Sequence, residues 1–149
     1  MTNTNYKKLG RTTEEPMTWA LEPLVKIPHV IHAVVLTADG LVVGRSPDLE
    51  RTDAEGAAAM LSTVQASTRT MLAAFIGSAR EVRLRQVVAE STEGYAFITD
   101  AGEHTILAVY TDLEVDLGVV AEAVQIQVKR LGQKVMSAAP RQPAEDALS

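Results

Sequence analysis

Apolar residues follow a helical spacing in three segments of the chain and a strand-like spacing in the segments between them. The pattern over residues 17–25 predicts a short first helix that ends near Ile27, before Pro28. Pro23 lies within this helix and has no amide hydrogen to donate, so we expect the helix to begin late or to kink there.

Residues 30–36 and 41–45 are rich in valine and flank the sequence "TADG". Valine favours strands, and Asp39-Gly40 supplies the positive φ that a tight hairpin turn requires. The first run has almost no polar residue after His32, which is typical of a strand covered on both faces. We therefore expect a sheet that lies between helices, with a turn at Asp39-Gly40 that has no catalytic role.

The segment after "SPDLERTD" predicts a helix of about 24 residues, near 36 Å long, with Thr52 or Asp53 as its N-cap and Gly77 as its end. Its large apolar residues recur at i, i+3, i+4 and i+7, and we expect this stripe to face the core. The stripe consists of Ala57, Met60, Leu61, Val64, Met71, Leu72 and Phe75.

The other faces of this helix carry small side chains, where a solvated helix would carry more Glu, Lys and Arg. Small residues allow a second helix to approach closely, and a two-fold axis makes one patch self-complementary. The alternative is packing against loops of the same chain. The small residues are Ala58, Ala59, Ser62, Ala66, Ser67 and Ala73.

The second half of the chain predicts three strands and a helix. Residues 81–89 alternate apolar with charged side chains, which is typical of a sheet edge, and residues 95–99 and 105–111 form two further strands. A turn around Ala101-Gly102 joins them, and Asp116 opens the last helix. The predicted order is α-β-β-α-β-β-β-α.

Length and composition predict one domain over residues 16–137, with disordered tails at 1–15 and 138–149. The chain has 149 residues and no cysteine, so thiolate metal clusters and disulfides are excluded. Its net charge of −5 argues against nucleic-acid binding, and no apolar run is long enough for a membrane helix or a signal peptide. We therefore expect a cytoplasmic protein.

Candidate catalytic and ligand-binding motifs do not converge. His29 and His32 straddle a junction that points their side chains to opposite faces, so we expect no metal site. Ser46 lies in no G-x-S-x-G motif, and no G-K-[ST] motif is present. We predict a non-enzymatic protein that needs no cofactor. Arg80, Arg83 and Arg85 are consistent either with a solvated strand face or with a patch that faces a partner.

The succession of a helix, "HAVVLTADGLVVGRS", a long alanine-rich helix, "VRLRQVVAESTEGYAFIT", "HTILAVYT" and a terminal helix resembles a Roadblock/LC7 (dynein light chain type) domain. It is especially similar to the actinobacterial form encoded beside Ras-like GTPases. The resemblance spans residues 17–136. It implies a profilin-like α/β/α sandwich of the α+β class, with a five-stranded antiparallel sheet. The long helix would lie on one face and the two terminal helices on the other.

The resemblance also implies dimerisation through the long helix and the adjoining edge strand, and binding to small GTPases whose nucleotide cycle the family modulates. On that basis we expect a homodimeric, non-enzymatic regulator or scaffold that binds a Ras-like GTPase. The alternative is a small-molecule sensor or a general protein-interaction module without a GTPase partner. The candidate dimer-interface residues are Ala58, Ala59, Ser62, Ala66, Arg69, Ala73, Val82, Arg83, Leu84 and Arg85.

Overall fold

The computed structural model describes residues 15–77 and 80–138, with side chains described as far as Lys134. The predicted tails at 1–15 and 138–149 lie outside the described residues, except for Glu15 and Ala138. The chain begins with a 3-10 turn at Thr18–Leu21, which runs directly into α1. The elements are α1 (Glu22–Val25), β1 (Val30–Thr37), β2 (Val42–Arg45), α2 (Arg51–Ile76), β3 (Gln86–Glu90), β4 (Gly94–Asp100), β5 (Thr105–Asp112) and α3 (Leu117–Ala138).

The five strands form one antiparallel sheet in the order β2-β1-β5-β4-β3. This order places β3 at one edge and β2 at the other, and β5 lies in the centre between β1 and β4. The expected fold class, a five-stranded antiparallel sheet between helical layers, is confirmed. The strand β3 lies at an edge, as the alternation predicted.

Helices cover both faces of the sheet, and each face has its own core. On one face the 3-10 turn, α1 and α3 pack on the sheet through Leu21, Leu24, Val120, Val124 and Leu131. On the opposite face α2 packs through two alanines and contacts a core that contains Val34, Leu36, Ile98, Ile106, Ala54 and Ala58. Because β1 contributes buried residues to both cores, the prediction of a strand covered on both sides is confirmed.

The first helix begins late, as its proline required. Pro23 occupies the first turn of α1, where its missing amide hydrogen breaks no helical hydrogen bond. The preceding residues adopt the tighter 3-10 geometry instead. The segment therefore follows the predicted path as two short helical pieces.

The β1–β2 connection is the predicted turn. Gly40 has a φ of 94°, and its amide donates a hydrogen bond to the Thr37 carbonyl at 2.9 Å. The Thr37 hydroxyl donates to the Asp39 carboxylate and accepts a hydrogen bond from the Leu41 amide. Asp39 thus shapes the turn through a contact within the hairpin.

The orientation of α2 corrects the prediction for its large apolar stripe. The helix turns Ala54 and Ala58, both fully buried, toward the sheet, whereas Met60 and Phe75 are exposed. The two alanines let the helix lie close to the sheet. Leu61, another member of the predicted stripe, is partly buried against the same core.

The ends of α2 were predicted with mixed success. Its N-cap is Glu50, which makes no side-chain capping hydrogen bond, so the prediction of Thr52 or Asp53 was wrong. Gly77 ends the helix with a φ of 105°, and its amide donates to the Ala73 carbonyl at 3.0 Å. The predicted glycine end is therefore confirmed.

Residues 81–85 are not part of a strand, contrary to the prediction. The ladder with β4 begins at Gln86, opposite Thr99. The Arg85 carbonyl accepts one hydrogen bond from the Asp100 amide at 2.9 Å, and β4 ends at that residue. Residues 81–84 therefore have no neighbouring strand among the described residues to pair with. An alternating pattern of side chains does not form a strand without such a neighbour.

Candidate interaction surface

Exposed large apolar side chains line one side of α2. Met60 is 65% exposed and Phe75 is 82% exposed, and Val64 and Met71, which lie between them along the helix, are exposed as well. At 100° of rotation per residue, these four positions fall within an arc of about 60°. We refer to Met60, Val64, Met71 and Phe75 as the α2 stripe. The sequence assigned all four to the core.

The spacing within the α2 stripe is symmetric about its middle. The four residues are separated by four, seven and four positions, and the midpoint falls between Ser67 and Thr68. Ser67 lies on the exposed side with a small side chain. When two copies of the helix lie antiparallel across that midpoint, residue 60 meets residue 75 and residue 64 meets residue 71. The stripe is therefore self-complementary under a two-fold axis.

An apolar groove runs beside the α2 stripe, between the helix and the more open half of the sheet. Its volume is about 350 Å³. Small side chains on the central strands leave this space because α2 packs mainly on the β1–β2 side. The groove is lined on the helix by Ala57, Met60 and Leu61, and on the sheet by Ala96, Ala108 and Tyr110.

His32 lies at one end of this groove. Its Nδ1 atom is buried and has no hydrogen-bond partner among the described residues. A carboxylate oxygen of Asp48 is 3.6 Å away, which is too far for a hydrogen bond. The groove is thus lined almost entirely by apolar atoms, with the buried ring nitrogen of His32 beside one end of it.

The small-residue face predicted for the dimer interface lies partly against the chain's own hairpin. Ala58 is fully buried in the core, so this residue is corrected from surface to interior. The Ser62 hydroxyl donates to the Ala38 carbonyl at 2.6 Å, and Ala59 lies beside Gly40. The alternative kept in the sequence analysis, packing on the chain's own loops, applies to these residues. Ala66, Arg69 and Ala73 remain at least partly accessible.

The predicted interface residues before β3 lie close to Arg69 of α2. Leu84 is 8% exposed and packs inside the chain, which corrects its assignment to an interface, and Arg83 and Arg85 are exposed. Arg69, Val82 and Arg83 line a polar cavity of about 410 Å³ together with acidic side chains of the β4–β5 region. The structure thus brings Arg69 of α2 together with the predicted residues before β3. Their contact with a second copy stays a prediction.

His29 makes an ion pair at the end of the sheet opposite the hairpin turn. Its Nδ1 lies 2.9 Å from the Asp112 carboxylate, and its backbone carbonyl accepts a hydrogen bond from the Asp112 amide. The hydrogen bond to Asp112 raises the pKa of His29, and Asp112 in turn has a lowered pKa through the hydrogen bond from His29. His32 points to a different carboxylate, that of Asp48, and among the described residues no three acidic or histidine side chains cluster as a metal site would require.

The helices give no sign of a membrane-spanning segment. Within residues 15–77 and 80–138, none combines the length and apolar character that crossing a bilayer requires.

Comparison with known proteins identifies the family. The Roadblock/LC7 domain model matches residues 18–111, which is more than half of the chain. The chain belongs to the Roadblock/LC7 domain family. A Roadblock/LC7 domain from Streptomyces avermitilis is 32% identical, with a TM-score of 0.71 over 80% of this chain and 97% of the other. The resemblance inferred from the sequence is confirmed.

Two more distant structures have the same fold. The gliding protein MglB from Thermus thermophilus is 20% identical, with a TM-score of 0.69 over 82% of this chain and 90% of the other. MglB from Myxococcus xanthus is 18% identical, with a TM-score of 0.72 over 81% of this chain and 95% of the other. Among curated proteins no match is found.

The α2 stripe is the feature of this surface that the sequence analysis placed wrongly. The signal was present in the sequence, because Ala54 and Ala58 form a small-residue face about 110° around the helix from the large one. A helix on a sheet whose facing residues include Val34 and Ile106 can dock through either face. Periodicity shows that two faces exist without showing which of them turns inward.

Proposed function

We propose that this Roadblock/LC7 protein is a non-enzymatic homodimer that binds a Ras-like GTPase in the cytoplasm and modulates its nucleotide cycle. Family membership supports the GTPase partner, because Roadblock/LC7 domains are associated with small GTPases. The single observation that carries the homodimer is the α2 stripe, with its symmetric spacing and exposed Phe75.

In the proposed dimer the two α2 helices lie antiparallel and cross near Ser67. Phe75 of one copy packs against Met60 of the other, and Val64 packs against Met71, so that each contact occurs twice. A small side chain at the crossing allows the axes to approach to about 8 Å, the short end of the usual range. Phe75 then enters the apolar groove of the other copy, where it covers the Met60 side.

The dimer would act on its partner by binding one conformation better than another. A preformed surface that contacts the switch loops in one nucleotide state shifts the GTPase toward that state. The size of the shift equals the difference in binding free energy between the two states. This role requires no catalytic residue in the Roadblock/LC7 chain, because the GTPase supplies the nucleotide site.

Sedimentation equilibrium of Phe75→Asp tests the homodimer. A carboxylate at this position would be desolvated against Met60 of the second copy, so we expect dissociation to monomers at concentrations where the unmodified chain is dimeric. Thr70→Asp is the matched control, since Thr70 is exposed on the same helix and lies outside the stripe. Unchanged dimerisation of Phe75→Asp would remove the proposed interface.

The GTPase partner is tested by calorimetry with the purified Ras-like GTPases encoded in the same genome. Each GTPase is loaded with GDP or with a non-hydrolysable GTP analogue. We expect one of them to bind in one nucleotide state more tightly than in the other. Equal binding in both states would contradict modulation of the cycle, and no binding to any of them would contradict the partner.

A second candidate function rests on the apolar groove, with His32 at one end of it. This lining suits an apolar small molecule. A thermal-shift screen of apolar acids and alcohols on the Phe75→Asp variant would test it. A rise in melting temperature that His32→Ala abolishes would favour the sensor, and we rank it second because the same groove accommodates Phe75 of a second copy.

A further inference from the structure

The single tryptophan of the chain lies in a basic depression on the terminal-helix side. Trp19 is 40% exposed, and the Lys134 Nζ atom lies 5.9 Å from the centre of its ring. Arg130, Gln133 and Lys134 of α3 line the depression with it, and its volume is about 380 Å³. A partly exposed aromatic ring held by a cation is a common anchor for binding.

An exposed apolar stripe of α3 leads into this depression. Val119, Ala123, Ile126 and Arg130 are spaced at i, i+4, i+7 and i+11, so they lie on one side of the helix. Val119 and Ile126 each expose almost half of their surface. The side is therefore apolar toward the beginning of α3 and basic toward its end, with Trp19 beside the basic part.

The charge of this region opposes that of the whole protein. The chain carries a net charge of −5, yet α3 has Lys129, Arg130 and Lys134 after its one acidic residue, Glu122. No acidic side chain of α3 follows Glu122 among the described residues. A local excess of positive charge beside apolar side chains is complementary to an acidic segment that has apolar residues of its own.

This surface and the α2 stripe lie on opposite sides of the sheet. The terminal helices pack on the face that contains Phe97 and Leu107, and α2 packs on the face that contains Ile98 and Ile106. A dimer formed through α2 therefore leaves the terminal-helix side accessible.

We propose that Trp19, Arg130 and Lys134, together with Val119 and Ile126, form a second interaction surface that binds an acidic amphipathic segment of a partner protein. The apolar residues of that segment pack on Val119, Ile126 and Trp19, and its carboxylates pair with Arg130 and Lys134. A protein segment suits this surface better than an anionic membrane. The three basic side chains of α3 belong to a chain of net charge −5, which provides little attraction to a charged bilayer.

The fluorescence of Trp19 provides a direct test, because no other tryptophan contributes to the signal. The probe is a synthetic helical peptide with leucine at i, i+4 and i+7 and glutamate on the flanking positions. We expect a blue shift of the emission that saturates with peptide and weakens as salt rises. A version with glutamine in place of glutamate should bind at least about tenfold more weakly, since charge-assisted hydrogen bonds are lost.

Charge reversals on α3 distinguish binding at this surface from a general effect of the net charge of the protein. Arg130→Glu and Lys134→Glu should each weaken binding of a dye-labelled peptide by about tenfold or more. Lys129→Glu is the matched control, because it makes the same change one residue away and about 100° around the helix. Sedimentation equilibrium of each variant should show the unmodified oligomeric state, which keeps this test separate from that of the proposed dimer.

Three results would overturn the proposal. One is the absence of any shift at peptide concentrations up to about 1 mM, which corresponds to negligible affinity. Another is an equal loss of binding in Lys129→Glu. The third is binding of phosphatidylcholine–phosphatidylglycerol vesicles with the same dependence on Arg130 and Lys134 but no binding of the peptide, which would assign the surface to membranes.

Discussion

The two faces of the sheet are packed in different ways. On the terminal-helix face, large side chains such as Leu24, Leu107 and Leu131 are fully buried. On the α2 face, the helix contributes Ala54 and Ala58, and the large side chains of its stripe point elsewhere. One face fills its core within the chain, while the other keeps bulky apolar residues on the outside.

This difference separates the folding of the chain from its association. Burial of a leucine-sized side chain contributes about 1.5–3 kcal/mol, whereas an alanine contributes far less. The helices of the terminal-helix face therefore contribute more apolar burial to the free energy of unfolding than α2 does. The α2 stripe has apolar surface left to bury in a second copy, and that surface is available for association because it was not used in folding.

The largest expected effect is a loss of stability from truncation on the terminal-helix face. Leu131→Ala leaves a cavity in a fully buried site, so we expect the free energy of unfolding to fall by about 2–5 kcal/mol. Met71→Ala on the α2 stripe should change the monomer by less than about 0.5 kcal/mol. Urea unfolding in the Phe75→Asp background, where dimerisation should not contribute, measures both. Similar losses for the two truncations would contradict the comparison.

A smaller effect is expected at the helix N-termini, which also differ between the faces. The Asp116 carboxylate accepts hydrogen bonds from the Gly118 and Val119 amides at 3.1 and 3.2 Å, whereas Glu50 at the start of α2 makes no capping bond. Asp116→Ala should therefore cost about 1 kcal/mol, and Glu50→Ser should add stability of up to the same size. Thermal unfolding of the two variants checks both signs. Loss of stability in Glu50→Ser would show that Glu50 has a role outside capping.

The smallest expected effect is the pH dependence of the His29–Asp112 pair. The raised pKa of His29 contributes stability that is present below the ordinary histidine value and is lost as the pH rises through the raised value. The lowered pKa of Asp112 contributes stability that is lost as the pH falls through the lowered value. The ion pair therefore stabilises the fold at pH values between the lowered pKa of Asp112 and the raised pKa of His29.

An NMR titration of His29 in the Asp112→Asn variant measures this effect. We expect the pKa of His29 to fall toward the ordinary value. Unfolding near neutral pH should change little, because both side chains are well exposed. An unchanged His29 titration would show that the carboxylate is not the cause of the raised pKa.

The fold was largely predictable because its signals are local. Gly40 and Gly102, each in a hairpin turn, both have positive φ, and the uninterrupted apolar run of β1 required cover on both faces. Each of these features depends on a few neighbouring residues. The family resemblance then supplied the arrangement of the helices, which local patterns do not determine.

The interaction surface was less predictable because it depends on distant residues. The direction in which α2 faces depends on how its side chains fit against residues of distant strands, such as Val34 and Ile106. The loss of strand structure before Gln86 depends on where β4 ends, at Asp100. Neither feature is encoded in the periodicity of the segment itself. The predicted core stripe is therefore right for Leu61, which packs on the core, and wrong for Met60, Val64, Met71 and Phe75, which are exposed.

Disulfide trapping at Ser67 tests the central claim, that two α2 helices pair antiparallel across the middle of the stripe. The chain has no cysteine, so Ser67→Cys introduces a single thiol at the proposed two-fold axis, and Thr70→Cys introduces one outside the stripe. Under mild oxidation we expect rapid, nearly complete covalent dimer from Ser67→Cys and little from Thr70→Cys, because a disulfide requires Cα atoms about 4.4–6.8 Å apart. Equal cross-linking of the two variants, or preferential cross-linking of Thr70→Cys, would contradict the proposed pairing.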